Sequence, residues 1–121
     1  MFNIYIDTSA SMNELGKSDS VEIIVKSLKE QFNDLKISYN IEQFINLDLS
    51  SIDDDSILIS DGLFETHNIQ KGISVAVGID ANINNLKQVS KMVYTVDEIT
   101  KLDDYILYHY DFDVEEEDDE W

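Results

Sequence analysis

The stretch Asp7-Thr8-Ser9-Ala10-Ser11 places one carboxylate and two hydroxyls at spacings of two and four residues. Such oxygens are hard ligands, which bind Mg²⁺ or Mn²⁺ rather than Zn²⁺ or Cu²⁺. A second carboxylate, Asp61, directly follows the apolar run Ser56–Ser60 and precedes Gly62. Asp and Ser are also common in turns and helix caps, so this pattern alone leaves a purely structural role open.

Each of the two carboxylates follows a predicted strand. Phe2–Ile6 alternates apolar and polar residues, and Ser56–Ser60 is a continuous apolar run, which is typical of a strand covered on both faces. Residues 45–56 have room only for a short edge strand or an irregular crossover. Further strand patterns predict three more strands, at residues 36–44, 73–79 and 92–96.

Amphipathic helices are predicted between the strands. Apolar residues at three- and four-residue steps predict a first helix, with Asp19 as its N-cap and Glu22 as the capping-box partner. Its stripe consists of Val21, Ile24, Val25, Leu28, Phe32 and Leu35. A short second helix and a last helix are predicted from two smaller stripes: Ile83, Leu86 and Val89, then Ile99, Leu102, Ile106 and His109.

The alternation of strands and helices predicts an α/β domain. Its sheet would be open, doubly wound, mainly parallel and five-stranded, in the order 2-1-3-4-5, with helices on both faces. The loops after the first and third strands then diverge and form a crevice between them, which is the usual ligand site of an open α/β sheet. That crevice would bring together Asp7, Ser9, Ser11 and Asp61. We predict one compact domain over residues 1–110 and an acidic tail over 111–121.

The composition excludes several classes of function. The chain has twenty-six Asp and Glu, eight Lys and no Arg, which gives a net charge of −18. Because this negative charge repels phosphate backbones, we expect no nucleic-acid partner. Without Cys, thiolate metal sites and thiol catalysis are impossible. No apolar window reaches the roughly 18 residues of a membrane helix, and no signal-peptide pattern opens the chain. We therefore expect no membrane partner and a cytoplasmic location.

The order and spacing of these pieces resemble the von Willebrand factor A domain family. IYIDTSASM is similar to the family's first strand and its Asp-x-Ser-x-Ser metal-binding loop. ILISDG is similar to the buried strand followed by Thr-Asp-Gly, with Ser60 here in place of the Thr. Residues 72–102 are similar to the family's closing strand, helix, strand and helix, so the resemblance spans residues 1–108.

The resemblance implies a metal ion-dependent adhesion site. Carried over to this chain, Asp7, Ser9, Ser11 and Asp61 would hold Mg²⁺ or Mn²⁺. The family's remaining ligand, a Thr from a second loop, has no match, because residues 45–56 have no room for the strand and helix that precede it. Mg²⁺ commonly keeps several waters, so the missing ligand need not abolish binding. The candidate substitutes are Asp48, Ser50, Ser51 and Thr66.

A site of this kind implies an intracellular protein-binding or adaptor module, not an enzyme. The metal keeps one position open for a carboxylate presented by the partner, since a partly coordinated hard cation attracts carboxylates. Intracellular members of the family often serve as adaptors in larger assemblies, some with AAA+ ATPases, and the resemblance suggests that setting. Thr66 and Trp121, the last residue of the tail, are candidate partner-binding residues.

Two other classes of function stay open. The acidic chain could occupy a basic protein surface as a decoy or inhibitor by charge mimicry, without any metal. Among enzymes, a haloacid-dehalogenase-like phosphatase needs a second Asp where Ser9 stands, and a response-regulator receiver needs a Lys where Asp97 follows the fifth strand. A metal nuclease would use strand-end carboxylates against a charge of −18, and its candidates are Asp7, Asp61, Asp80 and Asp97.

Overall fold

Five strands form one sheet in the order β2-β1-β3-β4-β5 in the computed structural model, which describes residues 2–14, 16–46 and 48–101. Every neighbouring pair of strands is parallel. The predicted α/β class, the parallel sheet and the strand order are therefore confirmed. The strands are β1 at Phe2–Asp7, β2 at Tyr39–Phe44, β3 at Ser56–Ser60, β4 at Ile73–Ala76 and β5 at Met92–Thr95.

Helices cover both faces of the sheet. Helix α1, Lys17–Leu35, packs its apolar stripe on one face, where Ile24, Leu28 and Phe32 are fully buried. Helix α2, Ile83–Val89, covers the opposite face, where Leu86 and Val89 belong to a buried cluster that also includes residues of β1, β3 and β4. Because β3 is buried on both sides, its continuous apolar run matches its position at the centre of the sheet.

Helix α1 begins two residues before the predicted N-cap. Its N-cap is Gly16, which adopts a left-handed conformation at a φ of 73° and offers no side chain for capping. The capping role predicted for Asp19 is therefore wrong, and Asp19 lies in the first turn, where its charge complements the helix dipole. The earlier start brings Lys17 onto the buried face of the helix.

Short 3₁₀ helices replace regular structure in the remaining connections. One, Ala10–Asn13, follows β1, and another, Leu49–Ser51, lies in the irregular crossover between β2 and β3. A third, Val96–Lys101, is the described part of the predicted last helix, and its Ile99 joins the core beside α1. The remainder of that helix and the acidic tail with Trp121 lie outside the described residues. Within the described ranges, no helix is long and apolar enough to cross a membrane.

Two adjacent isoleucines of α1 test which face of the helix packs on the sheet. Ile24 is fully buried and Ile23 is exposed. We expect Ile24→Ala to lower the free energy of unfolding by about 2–5 kcal/mol, because it leaves a cavity under the helix. Ile23→Ala should change it by less than about 0.5 kcal/mol. Urea unfolding of both variants checks this, and equal losses would contradict the described packing.

Candidate functional site

Two buried carboxylates lie at the carboxyl edge of the sheet. Asp7 is the last residue of β1, and Asp61 directly follows β3. The two strands are neighbours with Ile6 opposite Ile59, so both carboxylates lie at the same edge. Asp7 is 4% exposed and Asp61 is 0% exposed. A buried carboxylate is costly unless it is hydrogen-bonded or paired with a cation, and these two are satisfied in different ways.

Asp7 is held by hydrogen bonds alone. Its Oδ1 accepts from the Ser9 backbone N–H at 2.8 Å, and its Oδ2 accepts from the Ser60 hydroxyl at 2.7 Å. The Ser60 hydroxyl oxygen in turn accepts from the Gly62 N–H at 3.0 Å. No ion pair within the described ranges includes Asp7. Among the residues that the structure describes, the Asp7 side chain is therefore buried on hydrogen bonds and not on an ion pair.

Asp61 has a cation of its own. Its Oδ2 accepts from Lys17 Nζ at 3.0 Å, and its Oδ1 accepts from the Leu63 N–H at 3.1 Å. Burial raises the pKa of Asp61, but hydrogen bonds from the Ser11 hydroxyl, the Leu63 N–H and Lys17, with the charge of the ammonium, outweigh it. The pKa of Asp61 is consequently lowered, and the group is ionised at neutral pH.

The side chain of Lys17 is fully buried at this edge. Its Nζ lies 3.0 Å from Asp61 Oδ2, 2.8 Å from Asp80 Oδ1 and 3.1 Å from the Ser11 carbonyl oxygen. An ammonium has three protons, and these three acceptors can engage all of them. Burial lowers the pKa of Lys17, but the hydrogen bonds and charges of Asp80 and Asp61 outweigh that effect and raise it.

Sequence reasoning missed Lys17 as a member of this site, and it named Asp80 only as a strand-end carboxylate of the metal-nuclease alternative. The signal for Lys17 was its phase: it lies four residues before Val21 and seven before Ile24, in line with the buried stripe of α1. A charged residue in phase with an apolar stripe needs a buried partner. The signal for Asp80 was its place shortly after β4, the next strand along the edge.

Two hydroxyl oxygens close to Asp7 in sequence have a spacing that a hard cation could use. The Ser9 and Ser11 hydroxyl oxygens are 3.4 Å apart, close to the roughly 3 Å between adjacent ligands in an octahedral Mg²⁺ shell. Asp61 fits less well, because its Oδ2 already contacts the Lys17 ammonium. No cluster of three or more His, Cys, Asp or Glu side chains suited to a metal occurs among the described residues. A metal here would therefore depend on serine hydroxyls and waters besides Asp7.

Three of the four candidate substitutes for the missing second-loop ligand form side-chain hydrogen bonds away from the site. Asp48 Oδ1 accepts from both the N–H and the hydroxyl of Ser50, at 3.0 and 2.6 Å, while the neighbouring Ser51 is exposed. The Thr66 hydroxyl donates to the His67 carbonyl at 3.2 Å. None of these hydrogen bonds includes Asp7 or the serine loop, so ligand roles for these residues, and partner binding by Thr66, stay predictions.

A cavity of about 280 Å³ opens beside Asp7 and Ser9. Its other walls come from the loops after β2 and β3, and its apolar lining is Phe44, Ile45, Leu49, Leu63 and Phe64. Ile45 is 70% exposed and Leu63 is 45% exposed, and Ile79, in the loop after β4, is 97% exposed. We call Ile45, Leu63 and Ile79 the apolar rim, since each follows a different strand at the same edge.

Ser60 provides a test of the hydrogen bonds that hold Asp7. We expect Ser60→Ala to lower the free energy of unfolding by about 1–3 kcal/mol, because Asp7 Oδ2 loses its donor and the Gly62 N–H its acceptor. The same substitution at the exposed Ser18 should change stability by less than about 0.5 kcal/mol. Thermal or urea unfolding measures both, and a neutral Ser60→Ala would mean that Asp7 does not depend on this hydroxyl.

Comparison with protein-family models, curated proteins and solved structures finds no match to this chain. The resemblance to the von Willebrand factor A domain family therefore stays a prediction based on its motifs. What the structure adds is the geometry of one sheet edge: two buried carboxylates, a buried lysine, two serine hydroxyls and an apolar rim.

Proposed function

We propose that this chain is a protein-binding module that contacts its partner with the carboxyl edge of its sheet. The observation that carries the proposal is the apolar rim. The described residues include five exposed large apolar side chains, and three of them, Ile45, Leu63 and Ile79, lie in loops of this one edge. Ile45 and Leu63 line the same cavity, and exposed apolar side chains grouped in this way mark interaction sites, because their burial against a partner is favourable.

The polar centre beside the rim would give the contact its specificity. Asp7 and Ser9 form one end of the cavity, and Ile45 and Leu63 line it as well. Apolar contacts around a few oriented polar groups are typical of binding pockets. In this proposal Asp7, Ser9 and Ser11 hold Mg²⁺ or Mn²⁺, with Asp61 as the further ligand that the family resemblance implies. When bound, the ion supplies an open position for a carboxylate of the partner.

The setting of this function is also a proposal. Membership in the von Willebrand factor A domain family, a cytoplasmic location and a place in a larger assembly, such as one with an AAA+ ATPase, stay predictions from the sequence. No catalytic role is part of the proposal. The alternative is a metal-independent charge mimic that binds a basic surface, and it predicts a different response to salt and to chelators.

The metal site is tested by titrating Mg²⁺ and Mn²⁺ into the protein. Calorimetry measures the binding, and thermal melts measure the Tm with and without the ion. We expect saturable binding that raises the Tm, since a ligand that binds only the folded state stabilises it. Asp7→Ala should abolish binding because it removes the carboxylate next to the serine hydroxyls. Asp34→Ala, which removes an exposed carboxylate at the far end of α1, is the matched control and should bind as the unaltered chain does.

Absence of metal binding in the unaltered chain would contradict the metal part of the proposal. Binding that persists in Asp7→Ala would place the ion elsewhere. In either case the protein-binding part would still be open to the next experiment, which does not depend on a metal.

The apolar rim is tested by affinity capture from a lysate of the native cells. We expect a double variant, Ile45→Asp with Leu63→Asp, to lose at least about 90% of the captured partner, since a buried charge without a pair opposes docking. Ile23→Asp places the same charge on an exposed position of α1 and should retain the partner. Equal capture by all three proteins would contradict binding at this edge.

The same capture separates the two binding modes. Loss of the partner with a chelator, but not with added salt, would indicate a metal-dependent contact. Loss with salt and indifference to the chelator would indicate charge mimicry, because screening weakens contacts between exposed charges.

A further inference from the structure

We propose that the Lys17 ammonium is the built-in cation of Asp61 and Asp80, so that Asp61 does not act as a metal ligand in this chain. The positive charge of the Lys17 side chain would then neutralise Asp61, as a bound metal ion would. The inference deepens the proposed function by removing Asp61 from the ligands that the family resemblance implies. The ligand set that is left, Asp7, Ser9, Ser11 and water, rests on the metal site of the proposed function.

The first support is the set of acceptors around Nζ. Two carboxylate oxygens, from Asp61 and Asp80, and the Ser11 carbonyl lie within 3.1 Å of it. These acceptors come from three separate loops, after β1, β3 and β4. They converge on one cationic point, as ligands do around a metal ion, and their number matches the three protons of an ammonium.

The second support is the space that the loop after β4 leaves for the lysine. Gly78 has a φ of 91°, and a Cβ added there would lie 2.5 Å from Lys17 Cε and 3.2 Å from Lys17 Cγ. Any other residue at position 78 would therefore have to move the lysine stem. The absence of a side chain at Gly78 lets this stem pass against the backbone and reach Asp80 and Asp61.

The third support is the balance of charge. Asp61 is fully buried and Lys17 is fully buried, so their charges cancel inside the protein, and the partly exposed Asp80 adds one negative charge beside them. A divalent ion bound directly to Asp61 would lie next to the ammonium, and like charges at such short separation repel strongly. Asp7 has no ion-pair partner in the described ranges, so it is where a second cation is favourable.

The test is the gain of a metal site when the lysine charge is removed. Lys17→Met keeps an unbranched stem of similar length and leaves Asp61 and Asp80 without a cation. We expect it to bind Mn²⁺ at least about tenfold more tightly than the unaltered chain, because a repelling charge is gone and a carboxylate is free. Mn²⁺ at about 100 times its Kd should raise the Tm of this variant by roughly 10 °C above its value in a chelator.

Two matched variants are measured beside it. Lys29→Met removes an exposed lysine of the same helix and should gain no metal affinity. Lys17→Met combined with Asp61→Asn removes both members of the ion pair and should lose most of the gain, because the freed carboxylate is absent. A Lys17→Met variant that gains no affinity over the unaltered chain, or a double variant that keeps the whole gain, would overturn the inference.

This experiment separates the inference from the proposed function. Metal binding by Lys17→Met together with none by the unaltered chain supports the inference and contradicts the metal part of the proposed function. Metal binding by the unaltered chain that Asp61→Asn abolishes supports that part and overturns the inference.

A measurement on the unaltered chain covers the case in which Lys17→Met does not fold. The ¹⁵N resonance of the Lys17 ammonium is assigned by its loss in Lys17→Arg, which keeps the charge. We expect its protons to exchange slowly, since all three are hydrogen-bonded away from water, and the resonance to stay in place when millimolar Mg²⁺ is added. Rapid exchange would show that the ammonium is open to water and not held by these acceptors, and displacement of the resonance by Mg²⁺ would show that the ion takes its position. Either result would overturn the inference.

Discussion

The burial of two carboxylates at one sheet edge is the constraint on which the surrounding structure depends. A carboxylate removed from water must be compensated locally, and hydrogen bonds or a cation are the available means. The Ser60 hydroxyl and the Ser9 N–H serve Asp7, whereas Lys17 and the Leu63 N–H serve Asp61. The early start of α1 puts Lys17 on the buried face of the helix, and the glycine at position 78 leaves room for the lysine stem, so both features allow one ammonium to reach that place.

The loops of this edge are also fixed by neighbouring elements. Thr8, after β1, donates its N–H and its hydroxyl to the Phe44 carbonyl at the end of β2, each at 2.8 Å. The Asn85 side-chain amide of α2 donates to the carbonyls of Gly62 and Phe64, both at 2.9 Å. Groups held on a rigid frame lose less entropy on binding, and the protein-binding role proposed for this edge would benefit from such hydrogen bonds.

Much of the fold could be predicted because its signals are local. The apolar run Ser56–Ser60 predicted β3 with the bounds that the structure has, and the alternation of elements predicted the parallel order 2-1-3-4-5. That order alone brings Asp7 and Asp61 to one edge. The ion pairs of Lys17 could not be predicted in the same way, because its partners Asp61 and Asp80 are distant in sequence. The sequence does not indicate which of its many carboxylates a buried lysine would contact.

The start of α1 shows a different limit. An Asp followed three residues later by a Glu is a strong capping pattern, yet α1 begins two residues before Asp19 and has Lys17 as its first residue. A left-handed Gly16 then makes the earlier turn into the helix possible. The local capping pattern therefore predicted the region of the helix start but not the residue at which the helix begins.

The burial of Lys17 has a consequence for the chemistry of its amine. Acylating reagents and acetyl-transferring enzymes need an amine that is free, uncharged and accessible. In the described structure the Lys17 amine is charged, paired with two carboxylates and buried, so it meets none of these conditions. Reaction at this position must pass through an opened form, so its rate measures how often the edge opens. Once acylated, the side chain has lost its charge, and the edge can close again only with Asp61 buried beside a neutral amide.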